Sequence, residues 1–545
     1  MDCIIFTNKY KDVRVYVLYT RNTLEKHKTV SSILKIQMNR HIFIKENLVS
    51  LFFNTTRKST RQQYTELEDT LIHLLKYIRA LIVEGADDFD DPEYGFYLQT
   101  ICRMIVYTRT VKGERDISYC MLYILYLVYP EKALELLNQF VEHSDSWIDM
   151  KRMAEYVFSI QNQDTTHPII RRCVELLNRQ LFMDNRQSVK RTTGGTISSV
   201  SVWIPRENSA NAWLFHELSY DWATRHTPYY FTSAKTDEQR QRAVTKSRTE
   251  YRILVSRLSK ICVQKKKERS LSGFVREATR LLVSPNIQDT KTTSDKTTLE
   301  IIELNEEWDA MIQTYGDMNI GKVLPVLDIS LSMTENGESA LCKAIGVACF
   351  LLEKTSLEKR IMTIDQTPSW IVMDHPLPFV SMVEMIREVV SRHGRTTKQL
   401  FRSIDVLAQS FASIQGDDHG MVSLVILSDM QFANADDTKF YDTTPPDFPV
   451  DESIRSCFGM KQIQHLSRNI PHITYWNVGE TYVGLPCDYD RLGGTVISGA
   501  SPNCARCILP DWHYDFLHNP CEMLANTPFD AMCSVLSSCG RSISV

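Results

Sequence analysis

Between Val323 and Met333 the chain reads VLPVLDISLSM. An apolar run that ends in Asp328-x-Ser330-x-Ser332 can turn one carboxylate and two hydroxyls toward a single point. Three hard oxygens with one charge suit a divalent cation such as Mg²⁺, which takes six oxygens in octahedral array. No general base, nucleophile or second metal cluster adjoins the triplet in sequence. The chain also contains no Walker loop, no H-E-x-x-H and no G-x-S-x-G. The chemistry expected is binding, and the chain is read as a non-enzyme.

The flanking segments predict how these residues are positioned. VLPVLD has a buried-strand pattern. ESALCKAIGVACFLLEK (Glu338 to Lys354) places Leu341, Ile345, Ala348 and Leu352 at helical spacing. IMTID and SWIVM follow as two strands around a polar turn at Gln366 to Pro368. Helical patterns cover Val380 to Arg392 and start again near Thr396. MVSLVIL is a further apolar strand that stops at Ser428-Asp429, and HITYWNV and TVIS complete the series. Strands alternating with helices predict an α/β doubly wound parallel sheet, which binds ligands at the carboxyl ends of its strands. Asp328 and Asp429 both fall at such ends, although a strand-end turn is the plainer role for Asp429.

The D-x-S-x-S string resembles the metal-ion-dependent adhesion site of von Willebrand factor A domains, position for position. The resemblance implies two further ligands, a threonine from a second loop and an aspartate from a third. HGRTTKQ offers Thr396 and Thr397, with Thr397 preferred, and Asp429 in LSDMQF matches the aspartate. The implied set is Asp328, Ser330, Ser332, Thr397 and Asp429, holding Mg²⁺ or another divalent cation. Two positions depart from the family. Leu331 stands where glycine is usual, and no acidic residue follows the threonine pair. Such a site leaves a coordination position open to an acidic residue of a protein partner, so capture becomes conditional on metal.

A chain of 545 residues is long enough for two to four domains. Its 43% hydrophobic and 23% charged residues are ordinary for a globular protein, and a net charge of −4 gives no global pull toward nucleic acid or membrane. Fourteen cysteines behind a polar start, MDCIIFTNKYKDVR, read as reduced thiols without a signal peptide. The apolar run YCMLYILYLVY (Tyr119 to Tyr129) is far short of the roughly 20 residues a membrane helix needs. A cytoplasmic, intracellular protein is expected, with a viral or virion-associated product among the options.

The N-terminal part is dominated by helical stripes. Leu67, Leu71, Leu74, Ile78 and Leu81 form one, widened by Leu75 and Ile82. Tyr119, Leu122, Tyr126 and Tyr129 form a second, and Ala133, Leu136, Leu137 and Phe140 a third. Without an exact repeat period they predict an irregular α-solenoid or bundle. ADDFDDPEY (Ala86 to Tyr94) and TTGGTISS (Thr192 to Ser199) read as loops, and DTKTTSDKTT (Asp289 to Thr298) as a linker. The expected organisation is an extension over 1–50, a helical module over 51–298 and an A-type domain over 299–545.

TRTVKGERD (Thr108 to Asp116), SDSWIDM (Ser144 to Met150), VSVWIPRENS (Val200 to Ser209), SDMQF, ITYWNV and VISGASPN (Val496 to Asn503) resemble the landmark segments of a poorly characterised family. That family, found in plants, fungi and large DNA viruses, joins a helical module to a C-terminal A domain. The architecture is also similar to the TROVE-domain Ro autoantigens, whose HEAT-like helices bind small and misfolded RNAs. The resemblance implies an alternative function, a ribonucleoprotein subunit binding small or single-stranded RNA.

One local feature speaks for RNA independently. From Lys235 to Arg280 there are fourteen basic residues against five acidic, in a segment with helical spacing. Arg248, Arg252, Lys265, Lys266, Lys267 and Arg269 are the candidate phosphate contacts. Arg171, Arg172, Arg186, Lys190 and Arg191 add a second basic stretch, and Trp203, Trp213 and Trp222 could stack bases. A solvated helix face with core tryptophans is the simpler account of each residue alone. Near the end, Cys504 and Cys507 have a metal-like spacing followed by His513, His518 and Cys521, but no second C-x-x-C completes a zinc ribbon. Core thiols one helical turn apart are expected instead.

Overall fold

A computed structural model describes residues 26–56, 61–84, 92–144, 147–190, 197–262, 269–283, 291–316, 318–393, 400–415, 422–431, 454, 471–481, 483–508 and 527–538. The chain divides into two units, Met1–Glu46 and Asn47–Val545. The described part of the first is helical, the beginning of α1 (Lys26–Asn54).

The second unit runs from the end of α1 through α2 (Arg61–Glu84), α3 (Pro92–Thr110), α4 (Arg115–Val128), α5 (Pro130–Ser144), α6 (Ile148–Ile160), α7 (Pro168–Lys190), α8 (Val200–Trp203), α9 (Ala212–His226), α10 (Tyr229–Thr232) and α11 (Asp237–Ile261). Three of these helices begin on proline, whose fixed φ and missing N–H cost nothing in a first turn. Thr236 and Gln239 form a reciprocal capping box at the start of α11. The first predicted stripe is buried on α2 from Leu67 to Leu81, whereas Ile82 is exposed. Helix α4 buries Ile117 to Leu122, Ile124, Leu125 and Val128, so it is covered nearly all round, which explains why YCMLYILYLVY is so apolar. Successive helices pack on one another, α2 and α3 on α4, α4 on α5, α6 on α7, α7 on α9 and α9 on α11. At the centre, Asp149 is fully buried and accepts from Arg109 Nε (2.8 Å) and Tyr119 Oη (2.5 Å).

The C-terminal half carries a six-stranded mixed sheet of order β3-β2-β1-β4-β5-β6. Its strands are β1 (Val323–Asp328), β2 (Arg360–Ile364), β3 (Trp370–Val372), β4 (Ser423–Ser428), β5 (Ile473–Asn477) and β6 (Gly494–Ser498). Helices α14 (Leu331–Lys354), α15 (Phe379–His393) and α16 (Leu400–Gln415) lie between strands, and a 3₁₀ helix (Pro502–Ile508) and α17 (Pro528–Ser538) follow them. Five strands are parallel as expected. Edge strand β3 is antiparallel to β2, because the turn after Ile364 is too short for a crossover.

Two expectations change here. DTKTTSDKTT is not a linker from Lys291 onward: it begins α13 (Lys291–Gln313), carried by Leu304 and Trp308 downstream with no glycine or proline to stop it. Helix α12 (Leu271–Val283) precedes residue 299 yet lies in the core of the sheet region. Its Leu271, Phe274, Val275, Ala278 and Leu281 share one apolar cluster with β1, α14 and α15. Trp308 stacks on Phe379 at 3.9 Å between centroids, with Phe274 edge-on to both. Gly346 lets the two helices meet, since a Cβ there would lie 2.9 Å from Leu271 Cβ.

Candidate functional site

The strand order reverses between β1 and β4, the place where open α/β sheets leave a crevice at their carboxyl ends. Asp328 ends β1 and is fully buried. Its Oδ1 accepts from Ser330 N (3.0 Å) and its Oδ2 from Ser428 Oγ on β4 (2.5 Å), so the carboxylate is locked between the two strands. Ser330 is the N-cap of α14 with extended backbone, but its hydroxyl caps no amide of that helix. Instead it lies 3.3 Å from the Ser332 hydroxyl. The two serine oxygens therefore sit together beside Asp328.

Asp429 follows β4 directly and is 3% exposed. Its Oδ1 accepts from Gln431 N (3.2 Å). Between them, Met430 holds a left-handed backbone (φ 60°), a strained state for a residue with a side chain, fixed by its N–H donating to Ser428 Oγ (3.0 Å). The loop after β5 closes on Asp429 from the other side. A Cβ on Gly479 would stand 2.8 Å from Asp429 Cβ, so only glycine allows this approach. Glu480 then receives Ser339 Oγ (3.4 Å) and Lys343 Nζ (3.2 Å) from α14.

The structure thus brings Asp328, Ser330, Ser332 and Asp429 to one edge of the sheet. Thr396 and Thr397 lie outside the described residues. Two members escaped the sequence reading. Ser428 bridges β1 and β4, and Asp365 follows β2 as Asp328 ends β1. Asp365 is fully buried; its Oδ2 takes a long contact from Thr363 Oγ1 (3.5 Å), and its Oδ1 accepts no hydrogen bond among the described residues. Burial pushes its carboxyl up from the ordinary 3.8; the Thr367 backbone N–H, the nearby His393 and the Thr363 hydroxyl oppose that shift, and the negative charge of Asp328 adds to it. A signal was present: VLPVLD, IMTID and VILSD are three apolar strands that each end on aspartate.

Among the described residues no group of three or more His, Cys, Asp or Glu is arranged to hold a metal. A cation here would rest on one carboxylate and two hydroxyls directly. That donor set fits a hard ion that keeps several of its waters, as Mg²⁺ does.

Among the described residues the candidate RNA contacts are not gathered in the same way. Arg248 is half-buried and Arg252 exposed on α11, with Arg252 paired to Glu207 at 3.4 Å. Arg269 pairs instead with Glu307 of α13 (3.3 Å) and covers the Phe274 ring. Lys265, Lys266 and Lys267 lie outside the described residues. Trp213 stacks on Phe158 at 3.9 Å, and Trp222 packs against His226 at 4.1 Å. Cys504 is buried with its thiol pushed up by burial, and Cys507 contacts Tyr107 Oη at 3.0 Å. His513, His518 and Cys521 lie outside the described residues.

The helical region meets the same sheet edge. Lys112 is 3% exposed, and its Nζ donates to Phe52 O (2.6 Å), Thr55 Oγ1 (2.7 Å) and Ser498 Oγ at the end of β6 (2.5 Å). Ser498 Oγ also donates to Phe52 O, and Asn54 exchanges two 2.9 Å bonds with the backbone of Val483.

Residues 322–525 match a family model described as a domain of unknown function (DUF7788). No curated protein and no solved structure matches the chain. Among the described residues no helix is long and apolar enough to cross a membrane.

Proposed function

We propose that the sheet region is a von Willebrand factor A-type domain that binds Mg²⁺ or a similar divalent cation and uses it to engage an acidic residue of a protein partner. The observation that carries this reading is the pair of hydroxyls, Ser330 and Ser332, set 3.3 Å apart beside the buried carboxylate of Asp328 at the strand-order switch. A serine at an N-cap that caps nothing keeps its oxygen available to another ligand. The amino end of α14 adds positive potential at the same point, which favours an incoming carboxylate. The helical region, read as an irregular HEAT-like and TROVE-like array, is the scaffold that presents this edge. The fold family uses such sites for recognition, and the role assigned is non-enzymatic.

Calorimetric titration of the full chain with Mg²⁺ and Mn²⁺ tests this directly. Asp328→Asn keeps the size of the side chain and a partner for Ser428, but removes the charge. It should weaken binding by more than roughly 100-fold, beyond what a supporting residue alone contributes. Equal binding by both proteins would refute the site.

A second reading, an RNA-binding ribonucleoprotein subunit, draws on α11. That helix buries Ala243, Ser247, Tyr251 and Leu258 and turns most of its basic residues to solvent. Several are already matched, Arg240 with Asp237 and Arg242 with Glu238, which lowers the charge left for phosphate. Chain purified at low salt should carry RNA that leaves as salt is raised if this reading is right.

A further inference from the structure

Asp365 carries a buried carboxylate oxygen, Oδ1, with no hydrogen-bond partner among the described residues, although the same carboxylate takes Thr363 Oγ1 and the Thr367 backbone N–H and faces His393. It sits one residue beyond Ile364, whose register partner across the strand pair is Asp328, and Ile329 N donates to Ile364 O at 3.2 Å. It therefore emerges at the same sheet edge, one strand over from the serine pair. Next to it, Thr367 Oγ1 meets His393 Nδ1 (2.8 Å), and His393 is the last residue of α15 before the segment bearing Thr396 and Thr397. Asp365 thus stands one strand over from the β1 end, two residues before the Thr367 that meets the end of α15.

A carboxylate oxygen with no exposure and no donor is costly, because desolvation is not repaid. Buried acceptors of this kind are uncommon and usually wait for water, an ion or a ligand. Mg²⁺ holds several of its waters tightly, and acceptors in its outer shell orient them. We propose that Asp365 accepts hydrogen bonds from water bound to a cation at Asp328, Ser330 and Ser332, and that it keeps the ion resident in the free protein. The inference rests on the cation reading of that site and adds to it the state of the protein before a partner arrives. Asp328 and Asp429 balance the two charges of the ion, and Asp365 makes the loaded edge negative by one. The ion is then retained by the protein's own charge, without a partner carboxylate.

The alternative is that Asp365 merely anchors the turn between β2 and β3. Asp365→Asn separates the two, since its amide oxygen still accepts from Thr363 while the charge is gone. Mn²⁺ binding to the full chain, followed by electron paramagnetic resonance of the free ion, is read alongside metal-free melting. The expected result is a 10- to 100-fold weaker Mn²⁺ dissociation constant with metal-free melting at or above that of the parent. Unchanged Mn²⁺ affinity in Asp365→Asn overturns the inference and leaves the cation site standing. A lower metal-free melting point with unchanged affinity marks Asp365 as a turn anchor and overturns it as well. If the parent binds no Mn²⁺ and Asp328→Asn is indistinguishable from it, the cation reading itself fails and the role of Asp365 falls with it.

Discussion

Gly346→Ala sets two known effects against each other at the contact between α12 and α14. In a helix interior alanine is favoured over glycine by about 0.8–1.0 kcal/mol. Against that, the new methyl would lie 2.9 Å from Leu271 Cβ and 3.0 Å from Leu271 C and O. The last two are backbone atoms, so no rotamer change relieves them, and α12 must retreat as a body by several tenths of an ångström. Its retreat disturbs Phe274, Val275, Ala278 and Leu281, all buried in the same cluster. Overpacking of this kind costs roughly 1–3 kcal/mol. Clash therefore outweighs propensity, and the variant should lose up to about 2 kcal/mol. Urea unfolding followed by tryptophan fluorescence is the assay, because Trp308 sits in the same cluster and stacks on Phe379. A lower midpoint is expected. A midpoint above the parent's would show that the methyl meets no resistance from α12 and would refute the close packing of α12 on α14.

Gly479→Ala pushes a methyl to 2.8 Å from Asp429 Cβ, so it should cost about 1–3 kcal/mol and weaken Mn²⁺ binding together, read by melting and titration. Lys112→Met removes three short charge-assisted bonds, partly offset by no longer burying an ammonium. A net loss of about 2–4 kcal/mol is expected, with faster hydrogen exchange at Phe53 and Asn54. For Asp365 the folded carboxyl titrates above its ordinary value, so the native state takes up its proton first as pH falls. The ionised group is a liability above the raised value, and that liability vanishes below the ordinary one. In metal-free buffer the stability advantage of Asp365→Asn over the parent should therefore shrink as pH is lowered through this window. A difference that stays constant with pH would contradict the buried, uncompensated charge.

Strands β1 and β4 were legible because they are buried nearly throughout and read as apolar runs, and Asp328 and Asp429 were legible because those runs stop at them. Helix α13 was not, since its first turns are threonine, serine, aspartate and lysine, and its contacts come only from Leu304 and Trp308 downstream. Asp365 was read only as the last residue of a strand, because local pattern carries no information on which neighbouring strand ends beside it. The same limit hid Ser428, whose partner Asp328 is 100 residues away. It also hid the docking of Phe52, Asn54 and Thr55, which no periodicity marks. The antiparallel β3 follows from a turn length that could have been counted.

An α-helix leaves its last carbonyls without partners. At the end of α1 the Phe52 carbonyl takes Thr55 Oγ1 nearby, then Lys112 Nζ and, 446 residues on, Ser498 Oγ. Domains generally fold from the amino end as the ribosome releases them. Here that order meets an obstacle: the end of α1 is finished by a strand made 446 residues later. Synthesis must pass residue 498 before this end of α1 closes, and a chain halted earlier would leave that turn unsealed.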